Sequence, residues 1–133
     1  MNTETQADAF SGPGPFEAYL QHLEQGVFRI QHCAGCGLHV FYPRLTCPHC
    51  GSISLSWVVP SGRGTVYAVS VVNRRAEKGG PYNVVLVDLE EGPRMMSRVD
   101  GVDAQAVKIG MRVQATIDAQ GAEPCVVFVP VDG

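Results

Sequence analysis

Apolar and polar positions divide the chain into three regimes. Residues 1–14 are small and polar and end in S-G-P-G, just before Pro15, which predicts a disordered tail. From Pro15 to Gln25, Phe16, Tyr19, Leu20 and Leu23 stand at i, i+3, i+4 and i+7, the spacing of one helical face. Pro15 at the first helical position and Gly26 just past the end mark its limits. A helix this short is unstable alone, so it must pack on its own chain or on another protein. Alternating patterns then take over. Val27–Gln31 and Leu38–Tyr42 read as strands, the second stopped by Pro43. Further strands are predicted at Ile53–Val59, Gly64–Asn73, Tyr82–Leu89, Arg94–Val99, Met111–Ile117 and Cys125–Val129, separated by glycine- and proline-bearing turns. Gly64–Asn73 is apolar at both alternating sets of positions, which predicts burial on both faces, or one face covered by the preceding segment or a partner. The only later helical hint is a weak turn near Val102–Val107. Five or six short strands in about 80 residues fit a small closed barrel such as an OB-fold.

The segment between helix and barrel changes this picture, because it carries chemistry. It reads C-A-G-C-G, then C-P-H-C-G, with ten residues between Cys36 and Cys47. Each C-x-x-C loop places two thiolates on one metal ion, and two such loops complete a four-sulfur site at Cys33, Cys36, Cys47 and Cys50. Gly37 and Gly51 follow directly, where a tight knuckle must turn with positive φ, and Pro48 fixes φ within the second loop. The short connection suggests a compact, rubredoxin-like ribbon. One structural zinc is the plain reading. Iron in the same cage, giving an electron carrier, also fits the spacing, and a colourless purified protein would rule it out. A redox dithiol needs one C-x-x-C rather than two matched ones. His32, His39 and His49 lie close by and read as ordinary ribbon or surface residues. A closed four-thiolate site leaves no position for water or substrate and so argues for structure. The predicted organisation is therefore a mainly β chain: tail 1–14, helix and entry strand 15–31, zinc ribbon 32–52 and OB-fold barrel 53–133.

Charge narrows the function classes. The 133 residues carry a net charge of −3, unevenly spread. Residues 1–28 hold four acids and no Lys or Arg. Residues 29–80 hold Arg29, Arg44, Arg63, Arg74, Arg75 and Lys78 against Glu77 alone. That positive middle suits a phosphate-bearing ligand or an acidic partner surface, or is simply a solvated face. Overall acidity argues against a general nucleic-acid binder, although Trp57, Tyr67 and Tyr82 offer stacking surfaces of the kind OB-folds use on single strands. No run of 18 apolar residues occurs, so no membrane span is expected. The N-terminus lacks the basic and apolar regions of a secretory signal. Cysteines in metal spacing suit a reducing compartment, the cytoplasm by default.

No catalytic set is legible. All four histidines precede the barrel; Ser70 and Ser97 read as structural; Asp88, Glu90 and Glu91 read as a solvated turn. Cys125, beside Val126 and Val127, reads as a buried, inert thiol. No phosphate-binding loop or dinucleotide fingerprint occurs, although Arg63 between two glycines is well placed for a phosphate contact.

An ordered set of features then carries a resemblance: the aromatic-striped helix, C-x-x-C-G, F-Y-P-R at 41–44, C-P-x-C-G, Trp57, S-G-R-G-T-V-Y at 61–67, P-Y at 81–82, L-E-E-G at 89–92, K-I-G-M-R-V at 108–113 and F-x-P at 128–130. From Phe16 to Pro130 the chain resembles the DUF35 family: an N-terminal helix, a rubredoxin-like zinc ribbon and a C-terminal OB-fold. F-V-P stands where the family usually has Phe-Arg-Pro, losing a positive charge at that edge. The resemblance implies a non-catalytic accessory subunit in a hetero-oligomer with an enzyme of acyl-CoA metabolism. A thiolase-type partner comes first, with an enoyl-CoA hydratase or retro-aldolase as alternative. It further implies a CoA contact, for which Arg63, Arg74, Arg75 and Lys78 are the candidates. The apolar surface of Phe16, Tyr19, Leu20, Leu23, Phe41 and Tyr42, with Trp57 beside it, is the candidate partner interface.

Overall fold

A computed structural model describes residues 14–131; the expected tail, Gly14 apart, lies outside the described residues. Helix α1 spans Pro15–Glu24 and ends as predicted, with the Gly26 N–H bonded to the Leu23 carbonyl. The turn is extended by Val27 donating to His22, so the first strand starts later than its apolar pattern suggests. Strand β1 is Ile30–Cys33, β2 is His39–Val40 and β3 is Leu55–Val58. They form an antiparallel sheet in the order β2-β1-β3. β2 is only two residues long because Phe41 and Tyr42 leave the sheet to meet α1. Tyr19 lies edge-on to Phe41 at 5.5 Å, and Phe16 stacks on Tyr42 at 5.4 Å.

The remaining strands are β4 (Arg63–Val72), β5 (Tyr82–Leu89), β6 (Arg94–Ser97), β7 (Arg112–Asp118) and β8 (Cys125–Pro130). They form an antiparallel sheet in the order β6-β5-β4-β7-β8. The sheet closes on itself just beyond β6. Val99 makes a parallel bridge to Phe128, with the Phe128 N–H on the Arg98 carbonyl at 3.0 Å and the Asp100 N–H on the Phe128 carbonyl at 2.8 Å. This is the predicted OB-type barrel. Closure also explains why β6 ends before Val99: the chain there turns from β5 to β8.

The core follows the period-two pattern. Asn83, Val85, Val87 and Leu89 of β5 point inward, joined by Val66, Met95, Val113 and Phe128. Gly64 lies where β4 crosses β5 most closely. A Cβ there would sit 2.5 Å from Val87 Cγ1 and 2.9 Å from the Asp88 carbonyl oxygen, so only glycine fits without a shift. One expectation fails on β4. Its pairing with β7 covers only Arg63–Thr65, and a bulge interrupts its pairing with β5 between Val66 and Ala68. Beyond the bulge the strand is flanked by β5 alone. Tyr67 is 50% exposed and Val71 is exposed too, so burial on both faces does not hold within this chain.

Helix α1 packs on its own chain. Tyr19 and Leu23 are buried in one cluster with Ile30, Val126 and Phe128, each contributing about 1.5–3 kcal/mol by burial. Both residues are therefore removed from the expected partner interface. Among the described residues no helix is long and apolar enough to cross a membrane.

Candidate metal centre and its surroundings

β1 ends on Cys33, and Leu55 of β3 is its register partner. Between them the chain makes two equivalent knuckles. Gly37 and Gly51 have φ of 79° and 80°, and their N–H groups bond the Cys33 and Cys47 carbonyls, each at 2.8 Å. This turn returns the second cysteine of each pair toward the first. The result brings all four sulfurs within 4.8 Å of one another. Cys33 and Cys50 Sγ are 3.5 Å apart, and Cys36 and Cys47 Sγ are 3.7 Å apart.

A tetrahedral zinc with bonds of about 2.3 Å has sulfur–sulfur edges of about 3.8 Å, so these four thiolates fit one zinc ion. The backbone stabilises the anionic form. The backbone of Cys36 holds the Cys33 thiol down at about 7, whereas at Cys36 and Cys50 burial and the adjacent thiols outweigh the backbone donors and push the thiols up, Cys50 to about 12. The His49 N–H donates to Cys47 Sγ at 3.4 Å. Cys33 and Cys47 are buried, while Cys36 and Cys50 face outward. His32 and His39 pack ring to ring at 4.9 Å, and His49 is exposed; none joins the cluster of possible metal ligands among the described residues. Zinc bound here has a full set of protein ligands, and its role is to fix the ribbon.

The four basic residues expected to reach CoA do not converge. Arg74, Arg75 and Lys78 share the β4–β5 loop, whereas Arg63 opens β4. That places Arg63 about 30 Å away along the strand at 3.3 Å per residue. Arg74 lies over the Tyr82 ring at 4.6 Å and donates to the Gly80 carbonyl at 2.7 Å. Arg75 makes an exposed pair with Glu77 at 3.4 Å. Beside this loop, Arg74, Tyr82 and Arg98 line a cavity of about 690 Å³. Arg98 is already paired with Asp100 at 2.9 Å and with Asp118.

Other expectations change in detail. Of the apolar interface set, Phe16, Leu20, Phe41 and Tyr42 keep surface, while Trp57 is half-buried against His22 at 4.9 Å. Cys125 is exposed, not buried. It is the first residue of β8, opposite Asp118 at the barrel's rim, and the inward positions start only at Val126. The acidic turn is more ordered than a solvated one: Asp88 binds Arg94 through both carboxylate oxygens, at 2.6 and 3.3 Å, and Glu90 and Glu91 accept from the Ser61 hydroxyl and N–H. Ser97 donates to the Val126 carbonyl, a structural role as expected.

Two structural positions are not singled out by the sequence, Gln31 and Asn83. Gln31 donates to the Arg44 carbonyl and accepts from the Arg44 N–H, both at 2.8 Å. Asn83 does the same for Val99, at 3.0 and 2.8 Å. The available signal was an amide side chain inside an otherwise apolar strand. Among the described residues no histidine ring hydrogen-bonds a serine or cysteine side chain.

Comparison with known proteins matches these two units separately. Residues 20–55 match the family described as "ChsH2, rubredoxin-like zinc ribbon domain", and residues 57–118 match "ChsH2, C-terminal OB-fold domain". A probable enoyl-CoA hydratase alpha subunit of Thermomonospora curvata is 36% identical over 108 residues, 80% of this chain and 33% of that protein. A DUF35 domain-containing scaffold protein of Methanocaldococcus jannaschii is 36% identical over 87 residues, 62% of each chain. The chain thus spans about a third of the first relative and under two thirds of the second. The solved structure of an "Ltp2-ChsH2(DUF35) aldolase" contains a chain 32% identical, with TM-score 0.73, covering 85% of this chain and 91% of that one. With both units matched in order and four cysteines placed for one zinc, the chain belongs to the DUF35 family.

Proposed function

We propose that this chain is the non-catalytic subunit of an enzyme complex acting on CoA thioesters. The observation that carries this reading is its similarity, over 91% of the matched chain, to the DUF35 component of an aldolase. The hydratase alpha subunit and the scaffold protein among its relatives support the same role. In this reading Cys33, Cys36, Cys47 and Cys50 hold one structural zinc, and the partner supplies the catalytic residues. The named relatives favour a hydratase- or aldolase-type partner; the thiolase-type partner implied by the family resemblance is the competing outcome. Phe16, Leu20, Phe41 and Tyr42 form the surface offered to that partner. Arg74, Arg75 and Lys78 form the basic loop offered to the phosphates of CoA.

A tagged pull-down from native extract, with mass spectrometry of stoichiometric partners, tests the role. A hydratase, aldolase or thiolase of CoA thioesters supports it and chooses among the three. Nucleic acid alone, or no partner, refutes it. Reversing charge at Arg74 and Arg75 is expected to weaken CoA-thioester binding by the complex; unchanged binding removes the basic loop from the site.

A further inference from the structure

Away from the metal centre, helix, ribbon and barrel meet around a half-open cleft of about 530 Å³. Its walls include Phe16, Tyr19, Phe41, Tyr42, Arg44 and Cys125. Volume and aromatic lining both lie in the range of small-ligand sites. The walls are braced by one another: Phe16 stacks on Tyr42 and Tyr19 packs on Phe41, so the cleft exists before anything binds.

Three polar groups in it make no side-chain hydrogen bond or ion pair among the described residues and are left to solvent. Tyr19 is only 6% exposed, yet its hydroxyl makes no hydrogen bond among the described residues. Burial first, then the nearby Cys125 and Tyr42, push its ionisation well above the ordinary tyrosine range, so it remains a donor. Arg44 has its backbone fixed by the Gln31 amide, while its guanidinium has no acidic partner among the described residues. Arg94, on the neighbouring wall, differs: Asp88 neutralises it, and it lies 3.4 Å from the Tyr67 ring centroid. The Cys125 thiol is exposed and outside the zinc cluster. Apolar walls, an exposed cation without an acidic partner and a hydroxyl that opens on the cleft suit an apolar body carrying an anionic acceptor.

We propose that this cleft binds an apolar monocarboxylate. Its hydrocarbon body lies among Phe16, Phe41 and Tyr42, Arg44 takes the charge, and Tyr19 donates a hydrogen bond. Such a site goes beyond the scaffold role, and because Phe16, Phe41 and Tyr42 are also offered to the partner, ligand and partner compete for this face.

The zinc-loaded full chain is titrated calorimetrically with dodecanoate below its micellar concentration, beside dodecylammonium and dodecanol. Alkylation of Cys125 by iodoacetamide is followed in parallel by peptide mass spectrometry. Saturating dodecanoate is expected to slow alkylation about tenfold, and dodecylammonium to bind at least about tenfold more weakly. Arg44→Gln is expected to lower dodecanoate affinity about tenfold while leaving dodecanol binding, zinc content and thermal midpoint unchanged. Tyr19→Phe is expected to weaken dodecanoate about fivefold. Equal binding of all three amphiphiles, or no protection of Cys125, overturns the proposal. So does shielding of Cys125 only in complex with a CoA-thioester enzyme; in that case the cleft is a protein-docking surface and the scaffold role stands.

Discussion

The ribbon buries only Cys33, Val40 and Cys47 as a cluster of its own, with Leu55 packed against them, whereas the barrel cluster runs from Val66 through Val85, Val87 and Val113 to Phe128 and extends to Tyr19, Leu23 and Ile30. Two of the three side chains in the ribbon's cluster are metal ligands. Apolar burial on that scale does not offset the entropy of ordering the loops from Cys33 to Gly51, so the metal supplies what the core lacks. The barrel has its own core and needs none. Both units still use one device, a buried amide that clamps the backbone of a distant residue: Gln31 on Arg44 and Asn83 on Val99. The lesson is that the two units fold for different reasons and should fail separately, even though Ile30 of β1 and Trp57 and Val58 of β3 pack on the barrel's cluster.

Removing the metal breaks the comparison most sharply. Structural zinc contributes about 10 kcal/mol or more to modules of this kind. Chelation, or Cys47→Ser, is expected to abolish hydrogen-exchange protection from β1 to β3 while β5 and β8 keep theirs. A Cys47→Ser protein that retains zinc and full ribbon protection contradicts the assigned ligands. Uniform loss of protection throughout the chain contradicts independent failure.

Phe128→Ala attacks the other side. The ring is fully buried and its residue carries the bridge that closes the barrel. The expected loss is about 3–5 kcal/mol in denaturant unfolding, with one equivalent of zinc still bound. Zinc lost in step with barrel stability would show the ribbon depending on the barrel after all.

The clamps give smaller and unequal effects. Asn83→Leu strands the Val99 N–H and carbonyl inside the barrel, where Val99 is 2% exposed; about 2–3 kcal/mol is expected. Gln31→Leu frees the backbone of Arg44, which is exposed and can turn to water, so about 1 kcal/mol is expected. Equal losses would mean that burial of the clamped residue does not set the cost.

What the sequence made legible follows the same division. The ribbon was readable almost completely, because C-x-x-C-G spacing is local and the ligand set is contained in nineteen consecutive residues from Cys33 to Gly51. Helix limits and barrel strands were readable from periodicity, within a few residues at the ends. The misses all concern contacts between segments far apart in the chain. Tyr19 and Leu23 read as partner surface because nothing local says that Ile30 and Val126 will cover them. Arg63 and Arg74 read as candidates for one CoA contact because both read as loop residues beside β4, yet that strand holds them at opposite ends. Cys125 read as buried beside Val126 and Val127, but the pairing with Asp118 turns it outward.

The seam between the two units carries the smallest effect. His22, in the last turn of α1, lies edge-on to Trp57 of β3, and its Nδ1 is buried without a hydrogen-bond partner. Burial first, and the charge of Arg29 second, hold its pKa below the ordinary value of 6.5. The folded chain therefore binds this proton less readily than the unfolded chain. The stability tied to neutral His22 is fully present above about pH 6.5 and is lost as pH falls from there through the depressed folded value. Calorimetric midpoints between pH 8 and 5.5 should fall more for the natural chain than for His22→Gln, compared only where both retain zinc, since acid also protonates the thiolates. Parallel midpoint curves would place the seam's pH response elsewhere and leave His22 a packing residue only.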